Sequence, residues 1–191
     1  MVLKEHYWFF EKALTDDICK EIIKLGKKQK SKLGTIHNKK ILKKTRNSNV
    51  IWLEQRWLYQ TIAPYVATAN KNAGWNFEYS WFEPMQFTIY KKNQFYQWHQ
   101  DASPDVYKSK DLNWNNKIRK LSIIVSLTDP KKYTGGELEI ELPGIKKEIR
   151  TLKLNKGTII VFPSFIWHRI KPVKSGERNS LVNWIIGQPW Q

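Results

Sequence analysis

From Gly74 onward the chain breaks into short runs of β-branched and aromatic residues, each closed by a turn signal. The runs cover 85–90, 94–99, 120–128, 137–142, 148–154, 158–162 and 179–186. Asp129-Pro130, Gly135-Gly136, Pro143-Gly144 and Asn155-Lys156-Gly157 punctuate them. Strands this short must bury one face against another sheet, so they predict an antiparallel sandwich or jelly roll. Two helices precede them. Leu14, Ile18, Ile22 and Leu25 recur at helical spacing and predict a helix over Leu14 to Lys28. Thr15 is placed to cap it, and Asp16 and Asp17 suit the positive end of its dipole. Cys19 lies beside the apolar stripe and reads as a small buried residue. A second helix is expected from about Glu54 to Asn72, with Pro64 placed to kink or split it. Residues 30–47 are basic and read as a loop. The expected fold is mainly β with N-terminal helices: residues 1–80 form a helical support packed on a β core over 81–191, in one structural domain.

Hydrophobic residues make up 41% of the 191, enough for a real core. No apolar run reaches the roughly 18 residues that cross a bilayer, so no transmembrane helix or membrane partner is expected. Met1 to Phe10 lacks a signal-peptide core, and a single cysteine precludes an internal disulfide. A cytoplasmic protein is the expectation. The formal net charge of +16 favours an anionic partner, nucleic acid or an acidic protein surface. The lysines are spread along the chain rather than gathered in one tract, which equally describes a solvated surface.

The chemistry centres on Trp98-His99-Gln100-Asp101. Side chains two apart on a strand share a side, so His99 and Asp101 can converge on one ion. His168 is the candidate third ligand, following the run 158–162 and the turn at Pro163-Ser164. Two imidazoles and a carboxylate on one face of an ion leave other positions open, as in non-haem iron(II) oxygenases. Zinc also suits such a set. His6 and His37 sit in unpatterned polar contexts and read as ordinary.

Arg178, Ser180, Val182 and Trp184 share one face of the last strand. An arginine facing a barrel interior is costly unless an anion meets it. A dicarboxylate would supply that anion in a bidentate pair; pairing with a protein carboxylate, or snorkelling to water, is the alternative. Gln86, Thr88 and Tyr90 alternate with Met85, Phe87 and Ile89. Their polar side faces either solvent or a hydrated pocket, where Tyr90 would donate a hydrogen bond.

Taken together, these residues resemble the prolyl 4-hydroxylase-like branch of the 2-oxoglutarate oxygenases, which includes the PKHD-type hydroxylases. The signature Tyr-x-x-Gly-x-x-Tyr-x-x-His-x-Asp is met by Tyr90, Tyr96, His99 and Asp101, with Asn93 in place of the glycine. Arg119-Lys-Leu-Ser122, the Gly135-Gly136-Glu137-Leu138 turn, Gly157, Phe162-Pro163-Ser164, His168, Pro172-Val173, Gly176, Arg178 and Trp184 follow in order. The match runs from about Gln86 to Trp184.

The resemblance implies a double-stranded β-helix, with His99, Asp101 and His168 as iron(II) ligands. It implies that Arg178 binds the 2-oxoglutarate C5 carboxylate with Tyr90 in support, and that Ser122 and Trp184 line the cosubstrate pocket. Iron(II), 2-oxoglutarate and O2 are the implied cofactors, with ascorbate as reductant. The implied reaction hydroxylates a prolyl residue of a protein or peptide, an acidic one by the charge argument, and releases succinate and CO2. The charge balance agrees: the dianion leaves the iron centre at −1, which Arg178 offsets.

Two other readings stand beside it. One keeps the cofactors but takes nucleic acid or another non-prolyl substrate. It is not favoured, because the chain lacks the arginine-rich ending of the nucleic-acid demethylase branch. The other is a non-catalytic jelly-roll binding module, which would have less reason to carry the four polar residues in order. Loops Ser103–Asn116 and Lys131–Thr134, with Tyr107, Trp114 and Tyr133, are candidates to cover a peptide groove.

Overall fold

The computed structural model describes residues 3–29, 32–33, 44–144 and 147–190. The chain opens with β1 (Trp8–Phe10), α1 (Asp16–Lys28), β2 (Lys32–Leu33), β3 (Arg46–Asn47), β4 (Asn49–Leu53) and α2 (Arg56–Asn72). Then come β5 (Trp81–Phe82), β6 (Met85–Tyr90), β7 (Phe95–His99) and β8 (Ile118–Ser126). A 3-10 turn (Pro130–Lys132) leads to β9 (Tyr133–Gly135), β10 (Leu138–Leu142) and β11 (Glu148–Leu152). The chain closes with β12 (Ile159–Pro163), β13 (His168–Ile170), β14 (Val173–Gly176) and β15 (Arg178–Gly187).

Among the described residues the strands form an eight-stranded sheet, a five-stranded sheet and a short ribbon. The large sheet runs β1-β12-β8-β15-β6-β4-β2, with β5 also on β15; the smaller runs β11-β10-β13-β7-β3. Every pairing is antiparallel. The two sheets make the expected jelly roll, a double-stranded β-helix. No described helix is long and apolar enough to cross a membrane.

Alternation along the large sheet sorts side chains between two environments. Phe87, Ile123, Val125, Val161, Leu181 and Ile185 face the helices and pack with Ile22, Leu58 and Ile62. Ile124, Ile160 and Phe162 face the smaller sheet and pack with Ile140 and Ile170. Both faces are thus buried, which is why all six residues of β6 are buried although half are polar. The polar side of β6 is turned to the interior between the sheets, not to solvent.

Thr15 caps α1 by accepting from Ile18 N at 3.3 Å, and Cys19 is buried. Pro64 lies inside α2 without splitting it. Its face is exposed, so water can satisfy the carbonyl that the proline leaves without a partner. The N-terminal region contributes more strand than its composition announces. β1 pairs with β12, β4 with β6 and β3 with β7. Part of the segment read as a basic loop is therefore sheet; residues 34–43, including His37, lie outside the described residues.

Gly26 on α1 gives the Phe87 ring its closest approach. A Cβ at Gly26 would fall 2.3 Å from Phe87 Cδ1. Helix propensity favours alanine over glycine by about 1 kcal/mol, but the overpacked ring costs about 1–3 kcal/mol. Gly26→Ala is therefore expected to lower stability in urea denaturation; a rise in the midpoint would show that Phe87 retreats freely.

Candidate metal centre

The strand β7 brings His99 to the edge of the interior, and Asp101 follows two residues later. The backbone holds this segment against the turn after β12: Asp101 N and Ala102 N both donate to Ser164 O at 2.9 Å. Gln100 Nε2 donates to Phe165 O in the same turn. His168 arrives across the ladder, where β13 pairs His168 directly with His99. One potential ligand atom from each of His99, Asp101 and His168 lies within 4.8 Å of the others. Asp101 Oδ1 is 3.7 Å from His99 Nε2, and Asp101 Oδ2 is 3.5 Å from His168 Nε2.

The donor set suits a divalent ion. His99 Nδ1 lies 2.8 Å from Gln97 O, and His168 Nδ1 lies 2.9 Å from Ile166 O. Each carbonyl fixes the tautomer with the proton on Nδ1, so both Nε2 lone pairs turn to the shared space. Burial first, then the neighbouring His168, lowers His99 to about 3, so its imidazole is neutral. Burial would raise the Asp101 carboxyl, but His168, His99, Arg119 and the Ser122 hydroxyl bring it down to about 2. The neutral His99 imidazole and the Asp101 carboxylate are in the forms a metal binds.

The interior beside the triad is lined by Arg46, Gln86, Tyr90, Tyr96, Arg178 and Trp184, among others. Arg178 is 3% exposed and donates to Ser180 Oγ at 3.2 Å. Its guanidinium lies 5.5 Å from the Tyr90 ring centre, and among the described residues it has no carboxylate partner. The Gly135-Gly136 turn runs close to it. Both glycines have positive φ, and a Cβ at Gly136 would fall 3.1 Å from Arg178 Cδ. Asn93, in the signature's glycine position, adopts φ 64°, a left-handed conformation that asparagine tolerates. Its amide donates to Val173 O at 2.8 Å, so the turn is kept.

Ser122 is turned to the triad. Its hydroxyl donates to Asp101 Oδ2 at 2.7 Å and lies 2.9 Å from Ser164 Oγ. Trp184 is 5% exposed with its indole Nε1 unpartnered, and the Arg119 guanidinium lies 3.9 Å from its ring centre. Arg119 is clamped by Glu83 through two hydrogen bonds of 2.7 Å, and the Tyr107 hydroxyl donates to the same carboxylate at 2.8 Å.

Tyr107 ties the 103–116 loop to the site. A cleft of about 840 Å³ runs along Gln100 to Lys108 and Arg119, and shares Tyr96 and Asp101 with the interior pocket. Lys131–Thr134 does otherwise: it holds a 3-10 turn and the start of the short ribbon with β14, and Tyr133 is buried there, not part of the cleft lining.

Sequence reasoning missed Arg46 and Glu83. Arg46 stands on a two-residue strand, too short for periodicity to register, inside a lysine-rich stretch. Glu83 lies between two strands, with only its place beside Phe82 and Pro84 as a signal.

A fold of this kind with this site defines a class of protein, and comparison agrees. The model of the 2OG-Fe(II) oxygenase superfamily matches residues 85–186, just over half of the chain, and the chain belongs to that superfamily. The family's cofactors are Fe(II), 2-oxoglutarate and O2. A PKHD-type hydroxylase of Prochlorococcus marinus is 49% identical over 65 residues, 34% of this chain and 28% of that protein. The chain thus spans less than a third of the length of that curated relative. The viral collagen prolyl hydroxylase of Paramecium Bursaria Chlorella virus-1 superposes with a TM-score of 0.71 at 24% identity, covering 96% of this chain and 97% of that one. A Trichoplax adhaerens prolyl hydroxylase, solved with a hypoxia inducible factor peptide, gives 0.73 at 14% identity over 95% and 84% of the two chains.

Ser122→Ala removes the hydroxyl that orients Asp101. It is expected to weaken Mn(II) binding by about 10–100-fold in calorimetry while the fold persists. Unchanged affinity would show that the backbone alone aims the carboxylate.

Proposed function

We propose that this protein is a 2-oxoglutarate dependent dioxygenase that hydroxylates a prolyl residue in a protein or peptide. The observation that carries the reading is the meeting of His99, Asp101 and His168, with the buried Arg178, which pairs with no carboxylate among the described residues, in the adjoining pocket. The three converging side chains would hold Fe(II). Bound Fe(II), with O2 and 2-oxoglutarate, supplies the oxidation, in which the cosubstrate becomes succinate and CO2 and one oxygen atom enters a substrate C–H bond.

The chain's own residues supply position and charge. Arg178 receives the C5 carboxylate of 2-oxoglutarate in a dry pocket, where a charge-assisted bond is strong. Tyr90 walls the same end of the pocket. Ser122 acts as a positioning residue by fixing Asp101. Trp184, held by Arg119, closes the interior against water. The peptide lies in the outer cleft, which reaches the triad at Asp101 and Tyr96. The solved prolyl hydroxylases that share this fold, one of them holding a peptide, support a prolyl substrate.

The test supplies Fe(II), 2-oxoglutarate, O2 and ascorbate as reductant, and measures succinate. Wild type is expected to form it and His99→Ala to lose it. Arg178→Gln is expected to weaken 2-oxoglutarate binding by about 10–100-fold, the loss of a hydrogen-bonded charge partner. Equal succinate from all three proteins sinks the oxygenase reading. Mass spectrometry of proline-containing peptides then tests the substrate: one added oxygen on proline is expected, and succinate without it removes the prolyl assignment alone.

A further inference from the structure

The pocket holds a second buried guanidinium that cosubstrate binding does not use. Arg46 is 6% exposed and belongs to β3, opposite Tyr96. Its Nε donates to Ser48 Oγ at 2.9 Å, and its Nη2 to Gln86 Oε1 at 2.9 Å. Its guanidinium lies 4.6 Å from the centre of the Tyr96 ring, which stacks on His99 at 3.5 Å. The cation is thus one phenol ring away from a candidate iron ligand. Among the described residues no carboxylate forms an ion pair with it.

Hydrogen bonding and charge distinguish Arg46 from Arg178. Arg46 is anchored at Gln86, whereas Arg178 donates to Ser180 and lies over Tyr90. Iron(II), Asp101, the dianionic cosubstrate and Arg178 balance one another, which leaves Arg46 as a surplus positive charge in a low-dielectric site. Of its five N–H groups, two are spent on Ser48 and Gln86. Three remain, two on Nη1 and one on Nη2, and a carboxylate takes two such N–H groups.

We propose that Arg46 is a specificity-determining residue that receives a carboxylate of the primary substrate beside the iron centre. The inference rests on the oxygenase reading of the site and deepens it, since it assigns the chemistry of the group that accompanies the oxidised carbon. The carboxylate has two possible sources, an acidic side chain next to the target residue or a free chain terminus. Both present the same planar pair of oxygens to the fork.

The test uses the full chain loaded with Mn(II) and 2-oxoglutarate and reads binding by calorimetry. The probes are matched pairs differing only in the anion: Ala-Ala-Pro-Glu-Ala-amide against its Gln counterpart, and Ala-Ala-Ala-Pro as free acid against its amide. In wild type the carboxylate member of at least one pair is expected to bind about tenfold tighter or more. Which pair shows the difference identifies the source. Arg46→Gln is expected to erase the preference, and Arg46→Lys to keep part of it as a point charge without the fork. Both variants are compared at matched melting temperature, and both are expected to bind 2-oxoglutarate within threefold of wild type. If no carboxylate probe binds better than its amide in wild type, the proposal is overturned. It is also overturned if Arg46→Gln weakens 2-oxoglutarate as much as Arg178→Gln does. If Arg178→Gln leaves 2-oxoglutarate binding unchanged, the oxygenase reading of the pocket fails instead.

Discussion

The cross-strand pairing of His168 with His99 is the contact on which the rest of the molecule depends. It brings two imidazoles from distant parts of the chain to 4.1 Å between ring centres, while Ser164 O receives the amides of Asp101 and Ala102. A one-residue slip in this ladder would turn one imidazole to the opposite face of the sheet and dissolve the site. The two histidine Nδ1 atoms near backbone carbonyls then decide which ring nitrogen faces the centre. The backbone thus orients the donor set.

Around that centre, burial and charge are arranged together. Glu83 pairs with Arg119 through two hydrogen bonds, so that guanidinium serves as a brace between Trp184 and the Tyr107 loop. Among the described residues neither Arg46 nor Arg178 pairs with a carboxylate, and both line the one pocket. A buried guanidinium braced only by neutral oxygens is expensive unless an anion meets it.

Much of the core strand pattern was legible because its residues carry their own period. β6 was readable to the residue, since Met85, Phe87 and Ile89 alternate with Gln86, Thr88 and Tyr90. The helices were readable from Leu14, Ile18 and Ile22, and less sharply from α2, whose start lies at Arg56 because Leu53 still belongs to β4. The two- and three-residue strands β1, β3, β9 and β13 were not, because no period can be expressed in so few residues. Tertiary pairing creates them. Arg46 went unseen for that reason, and Tyr133 was misplaced to the cleft because aromatic character does not say which way a loop side chain turns.

The sequence by itself determined the residue types and their order: a His-x-Asp pair, a later histidine, an arginine on the polar face of the last strand, and a jelly-roll texture. Those are local properties, set by the period-two alternation of strands and the conformational demands of turns. Only the tertiary structure decided that Ser122 faces Asp101, that Glu83 neutralises Arg119, and that a guanidinium from the N-terminal region enters the pocket. Each of these is a contact across at least 21 residues of chain. Such contacts follow from strand register and from the cost of burying unpaired charge, neither of which is written in any short window of residues.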